Sequence, residues 1–308
     1  MLLNTLLLII GFVLLIRGAN AFVDGAVALA HRFNIPEIII GLTVIAMGTS
    51  APESAVSISS ALHGAGGVAI GNVLGSNIVN ILLILGLSAV ITPLHFQKKT
   101  ILYEIPFVIF IIIVMMWFGV RYGIINRAMA GILLLLFVGF LAYMYRTAKK
   151  EIIKSEKEIV SNMSSIKIAA FIILGLAALV FGSDLTVKSA TNLAVLLHVP
   201  NRIIGLTLVA AGTSLPELVT CIAAARKKRT GLIVGNIIGS NIFNILFVLG
   251  LTGLVMPVPF EYAFAMDAAI SIVITVLLWL FAIHEQNLTR AEGAVFLLCY
   301  AGYIMYLI

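Results

Sequence analysis

Gly41–Glu53 reads GLTVIAMGTSAPE, and 164 residues further on Gly205–Glu217 reads GLTLVAAGTSLPE. Nine of the thirteen positions are identical. At the same offset Gly71–Leu87 (GNVLGSNIVNILLILGL) lies over Gly235–Leu251 (GNIIGSNIFNILFVLGL), with twelve identities in seventeen. Gly18 falls on Gly182, Asn20 on Asp184 and Pro36 on Pro200, and no gap is needed. Shared hydrophobicity would align leucines by chance. It would not place Gly-Thr-Ser-x-Pro-Glu twice, nor Gly-Asn-x-x-Gly-Ser-Asn-Ile-x-Asn twice, at one spacing. The chain therefore reads as an internal duplication.

What surrounds the motifs sets the class. Of 308 residues 62% are apolar and 10% charged, with a mean hydropathy of +1.17. A soluble domain carries roughly 25% charged residues. Apolar runs of the length that spans a bilayer, about 20 residues, recur from end to end. The expected fold is an all-α membrane protein of ten transmembrane helices, near residues 3–30, 36–62, 68–91, 101–120, 126–146, 165–194, 200–225, 231–256, 262–283 and 291–307. Several exceed the bilayer thickness and must tilt, break or protrude. Leu2–Ile16 resembles a signal-peptide core, but no basic residue precedes it and no small-residue cleavage signal leads to a soluble domain. It is expected to stay as the first helix.

The net charge of +6 sits in a few short loops, so it reads as a topology signal and not as a nucleic-acid surface. With both termini outside, the inside loops hold 14 of the 19 Lys and Arg residues and the outside loops only Arg121, Arg127 and Arg202. That asymmetry fixes the expected orientation of a multi-pass protein of the inner (plasma) membrane. Cys221 and Cys299 give neither a disulfide framework nor a metal spacing. Residues 1–147 and 165–308 are expected to be the two repeats, five helices each, joined by a polar inside linker at 148–164. Five is odd, so the second repeat enters from the opposite face. Inverted repeats are a plan of secondary transporters, with the site at the repeat interface near midplane.

Two carboxylates, Glu53 and Glu217, then sit close to midplane, where a charge costs at least a few kcal/mol without a partner. No Lys or Arg lies at matching depth in the motif helices, so a bound cation is the expected partner. Ala46, Thr49, Ser50 and Glu53 share one helical stripe, and Ala210, Thr213, Ser214 and Glu217 repeat it. Pro52 and Pro216 free carbonyls near Gly48 and Gly212, which a neighbour, water or ion must satisfy. Asn72, Ser76 and Asn80 lie on one face of their helix, with Asn77 adjacent; Asn236, Ser240, Asn244 and Asn241 repeat the set. The glycines Gly71, Gly75, Gly235 and Gly239 suit close helix packing. Carboxylate, hydroxyl, amide and carbonyl oxygens, with no His or Cys among them, favour Na+ or Ca2+ over Zn2+ or Cu+. Competition for the same oxygens is a physical basis for exchange.

These motifs resemble the α-repeats of the Ca2+/cation antiporter superfamily, and specifically the prokaryotic-type Na+/Ca2+ exchangers, over nearly the whole chain. The resemblance implies ten helices in two inverted five-helix halves, four ion sites in a diamond, and electrogenic alternating access in which helices 1 and 6 slide across the rest. By position it implies a Ca2+ site of Glu53 and Glu217 with the carbonyls of Thr49 and Thr213. The implied Na+ sites add Ala46, Ser50, Ser76, Ala210, Ser214 and Ser240. Members often carry Asp at one of the positions held here by Asn80 and Asn244; here both are neutral amides. The large cytosolic Ca2+-sensing insertion of animal exchangers is missing, so no such regulation is expected. The expected substrates are Na+ and Ca2+, with no cofactor, no nucleic acid and the lipid bilayer as surroundings, for a chain functional as a monomer. A Ca2+/H+ exchanger using the same glutamates is the alternative. A hydrolase with Ser50 or Ser214 as nucleophile lacks a His at membrane depth, and a channel would more naturally be a symmetric oligomer.

Overall fold

A backbone inside a bilayer has to satisfy its own hydrogen bonds, and this chain does so as helices. The structure, a computed structural model, describes residues 1–154, 163–197 and 212–307. The helices are α1 (Leu2–Arg32), α2 (Glu37–Thr49), α3 (Ala51–Leu62), α4 (Gly66–Ile91), α5 (Thr100–Tyr122), α6 (Arg127–Lys154), α7 (Ser165–Leu196), α8 (Leu215–Arg226), α9 (Thr230–Val255), α10 (Tyr262–Glu285) and α11 (Arg290–Leu307). Among the described residues seven are long and apolar enough to cross a membrane, and α2 with α3 form an eighth, bent by 44° at Ser50. The expected span 200–225 is described only from residue 212, and its last part is α8. Pro200, Gly205 and Ala210 lie outside the described residues.

One boundary differs from the sequence reading. The helix expected to end at residue 146 continues to Lys154, into the stretch read as linker. Thr147–Glu151 contains good helix formers, and Glu151 pairs with Lys99 at the start of α5. The charges that signalled a loop instead lie along the last turns of the helix.

α9 is enclosed along almost its whole length, whereas α7 is mostly exposed, so the centre of the bundle lies at α4 and α9 and the rim at α1 and α7. α1 and α7 meet along a glycine seam. Gly11, Gly18 and Gly25 recur every seven residues on α1; Gly11 faces Gly182 and Gly18 faces Gly175 on α7, while Gly25 lies against Phe171 and Ile172. A Cβ at Gly18 would lie 2.9 Å from the Gly175 carbonyl, and one at Gly182 would lie 2.9 Å from the Leu15 nitrogen. With no side chain between them the two backbones touch, which is how membrane helices gain dispersion contact. At the centre, Gly235 and Gly239 of α9 do the same against α2. A Cβ at Gly239 would sit 2.7 Å from the Leu42 Cα.

Two short ladders tie the ends. β1 (Leu94–His95) pairs antiparallel with β4 (Asn287–Leu288), Leu94 opposite Leu288. β2 (Ile124–Ile125) pairs antiparallel with β3 (Val258–Pro259), Ile124 opposite Pro259. Under the 164-residue shift Leu94 corresponds to Val258, and Ile124 to Leu288. Each ladder therefore joins a strand of one half to the non-equivalent strand of the other, the pattern that a two-fold relation between halves produces.

Candidate cation site

The Gly-Thr-Ser-x-Pro-Glu motif builds a helix break. Ser50 leaves helical geometry at φ −84°, ψ 11°, and α3 restarts at Ala51. Pro52 stands in the first turn of α3, where its missing N–H costs nothing because first-turn donors have no helical partner. Ser214 (φ −87°, ψ 5°) and Pro216 repeat this at the start of α8. Glu53 and Glu217 thus fall in the first turns of α3 and α8, at the positive ends of the helix dipoles. Ser-x-x-Glu is the spacing of a capping box, yet neither serine caps its own helix. Ser50 Oγ donates to Glu217 Oε1 at 2.8 Å, and Ser214 Oγ donates to Glu53 Oε1 at 3.3 Å. Each half's serine holds the other half's glutamate.

The exchange continues outward. Thr49 Oγ1 lies 3.2 Å from Asn236 Oδ1, and Thr213 Oγ1 lies 3.4 Å from Asn72 Oδ1. Asn72 Nδ2 donates to the Glu53 carbonyl at 3.2 Å and to Ser57 Oγ at 3.0 Å. Asn236 Nδ2 meets Cys221 Sγ at 3.3 Å, the position equivalent to Ser57. Ser214 Oγ also reaches Ser76 Oγ at 3.3 Å. One of the carbonyls expected to be freed by the prolines, that of Gly212, accepts from Ser183 Oγ of α7 at 2.8 Å, so a neighbouring helix takes it.

Glu53 and Glu217 are each 1% exposed. One carboxylate oxygen of each, Oε2, is buried without a hydrogen-bond partner, and so are Asn80 Oδ1, Asn244 Oδ1 and Ser240 Oγ. Native proteins pair buried polar atoms as a rule, and two enclosed carboxylates that have no cationic side chain as partner among the described residues call for positive charge from outside the protein. The atoms gathered there are carboxylate, hydroxyl and amide oxygens, which are hard ligands.

Of the residues singled out in sequence, Ala46, Thr49, Ser50, Glu53, Ser76, Asn80, Ser214, Glu217, Ser240 and Asn244 are all buried, and Thr213 is half-buried beside them. Ala46 is packed against Gly239. Asn80 and Asn244 each begin a π-helical turn, Asn80–Leu85 and Asn244–Val248. Such turns interrupt the regular ladder and frequently mark functional positions. Sequence reasoning placed Asn77 and Asn241 merely beside the stripe. The structure puts both at the contact of α4 with α9, fully buried and hydrogen-bonded to each other. Their identical place in both motifs was the signal; their position off the four-residue spacing hid it.

A helical bundle with paired buried glutamates at a duplicated helix break, ringed by hydroxyl and amide oxygens, has the architecture of a membrane transport protein. The family model described as sodium/calcium exchanger protein matches residues 3–146 and 167–308, and the chain belongs to that family. It is 31% identical to the sodium/calcium exchanger MaX1 of Methanosarcina acetivorans, over 99% of this chain and 98% of that protein. It is 37% identical to the inner membrane protein YrbG of Escherichia coli, over 91% and 90%. Solved structures of the sodium-calcium exchanger NCX_Mj superpose with a TM-score of 0.87 at 34% identity, covering 99% of this chain and 98% of that one. The chain is thus a multi-pass membrane transporter of a cation-exchanging family and not an enzyme, which removes the hydrolase reading of Ser50 and Ser214.

Proposed function

We propose that this protein exchanges Na+ for Ca2+ across the membrane by alternating access, with its ion site between two inverted five-helix repeats. The repeats are residues 1–147 and 165–308, joined through 148–164, in a ten-helix chain with both termini outside. The crossed ladders β1–β4 and β2–β3 and the reciprocal Ser–Glu pairs support a two-fold relation between halves. Ca2+ would lie between Glu53 and Glu217 with the carbonyls of Thr49 and Thr213. Na+ would share those oxygens with Ser50, Ser76, Ser214, Ser240, Asn80, Asn244 and the carbonyls at Ala46 and Ala210.

One observation carries this reading: the two glutamates each keep one oxygen bonded to the opposite half and one oxygen without a protein partner. Two unpaired carboxylate charges match one Ca2+, and the surrounding neutral oxygens can share the same charge among Na+ ions. Because each glutamate is held by the other half, a rearrangement that separates the halves on one side changes both ligands together.

The test uses proteoliposomes loaded with Na+ and diluted into Na+-free buffer containing 45Ca2+. Uptake is expected to require the outward Na+ gradient and to fall at least about 100-fold in Glu53→Gln and in Glu217→Gln, since removing one member of a buried charge set costs several kcal/mol. Uptake driven by a pH gradient alone would replace this reading with Ca2+/H+ exchange at the same carboxylates.

A further inference from the structure

We propose that Asn77 and Asn241 are positioning residues: a crossed relay of side-chain amides through them turns the oxygens, and not the nitrogens, of Asn244 and Asn80 toward the transported cations. The inference rests on the proposed role of Asn80 and Asn244 as ligands, and supplies what makes a neutral amide dependable in it.

An Asn side chain offers an acceptor at one end and two donors at the other, and it can serve a cation with only one of them. Which end faces a site depends on the hydrogen bonds that hold it. Here the orientation is dictated step by step from the backbone. Asn77 Nδ2 lies 3.3 Å from the main-chain oxygen of Asn241. A carbonyl oxygen only accepts, so the nitrogen end of Asn77 must face it. That leaves Asn77 Oδ1 as an acceptor, and Asn244 Nδ2 donates to it at 3.1 Å. The nitrogen end of Asn244 is thereby used, and its oxygen is left buried with no protein partner.

The same sequence of bonds runs the other way. Asn241 Nδ2 lies 3.4 Å from the main-chain oxygen of Asn77. Asn241 Oδ1 accepts from Asn80 Nδ2 at 2.9 Å, and Asn80 Oδ1 is left buried without a partner. All four residues are at most 1% exposed, so water cannot reorient them. Each relay crosses between halves: α4 orients the amide of α9, and α9 orients that of α4. The π-helical turns begin at the two ligand candidates, one turn beyond Ser76 and Ser240. The relay therefore fixes the amides where the helical ladder itself is loosened. A carboxylate would show an acceptor oxygen in either orientation; an amide needs its orientation fixed. A chain with neutral amides at both positions needs this relay at both.

Outer-shell partners of this kind change cation affinity by about 10–100-fold when removed. The experiment is a pair of double-mutant cycles read as the half-saturating Na+ and Ca2+ concentrations for transport in proteoliposomes. Asn244→Ala and Asn77→Ala should each raise the half-saturating Na+ concentration about tenfold, and the double variant should be no worse than either single one. Asn77→Ala combined with Asn80→Ala, neighbours on one helix but on different relays, should instead multiply their effects. The mirror cycle pairs Asn241 with Asn80. Asn77→Ser and Asn241→Ser serve as second variants if the alanine forms do not purify as monodisperse protein, since a hydroxyl keeps a polar partner but cannot orient an amide from both ends.

Multiplicative effects in every pairing would mean that Asn77 and Asn241 act by packing alone, and would overturn the relay. Native transport by Asn80→Ala and Asn244→Ala would remove the amides from the ion site, and the relay with them, while leaving the glutamate reading intact. Native behaviour of Asn77→Ala beside an impaired Asn244→Ala would overturn the relay only.

Discussion

The two halves carry the same motif residues and support them differently. In the first half Asn72 binds a hydroxyl, Ser57; in the second Asn236 binds a thiol, Cys221. The Ser50–Glu217 bond is 2.8 Å, whereas Ser214 divides its contacts between Glu53 at 3.3 Å and Ser76 at 3.3 Å. The hydroxyl of Ser240, the counterpart of Ser76, has no hydrogen-bond partner among the described residues. The residues proposed to touch ions are duplicated faithfully, and the divergence lies one layer behind them. A duplicated site can thus hold one chemistry while its two sides differ in stiffness.

That comparison can be broken most severely at the glycine contact. Gly239→Val would drive a branched side chain into the Leu42 backbone, where overpacking costs about 3 kcal/mol or more. The expected outcome is loss of monodisperse protein on size-exclusion chromatography in detergent; a native elution profile would show that the α2–α9 contact yields.

The unequal serines sharpen it next. A hydrogen bond to a charged group contributes about 1.5–3 kcal/mol, so Ser50→Ala should raise the half-saturating Ca2+ concentration at least about tenfold. Ser214→Ala removes a longer, shared bond and should raise it only about threefold. Equal effects would mean that the two glutamates are held alike.

The smallest change restores symmetry. Cys221→Ser gives Asn236 a hydroxyl partner in place of a weakly accepting sulfur. The half-saturating Ca2+ concentration should stay within about twofold of native, with thermal unfolding in detergent moved up by a few degrees. Ser57→Cys should move it down. A transport defect in Cys221→Ser would assign the thiol a part in ion handling.

Much of this was legible in the sequence. The duplication, the helical class and the burial of the paired glutamates follow from repeated motifs and apolar length, because a bilayer permits few alternatives. The one-face spacing of Asn72, Ser76 and Asn80 also located side chains that the fold buries wholly or in part, Asn72 on the Glu53 carbonyl and Ser76 beside the serine that holds Glu53. What sequence reading could not supply was reciprocity. Ser50 reads as part of the same helical stripe as Glu53, and only the meeting of the two helix breaks across the halves reveals that its hydroxyl serves Glu217. The role of Asn77 and Asn241, named only as neighbours of the stripe, was hidden for a related reason: a periodicity argument describes one helix at a time, and their partners lie on another. The extension of α6 to Lys154 was hidden by charges that serve equally as loop or as helix surface.

The crossed bonds also have a consequence for how the chain is made. Ser214 follows its partner Glu53 by 161 residues, and Ser50 waits for Glu217 through 167. At ribosomal rates of about 5–20 residues per second, Glu53 spends roughly 10–30 s in a nascent chain without the hydroxyl that will hold it. During that interval the first half of the chain presents an unfinished polar face to its surroundings. Lesions in the second half are therefore expected to surface as proteolysis of the first, before any ion has been bound.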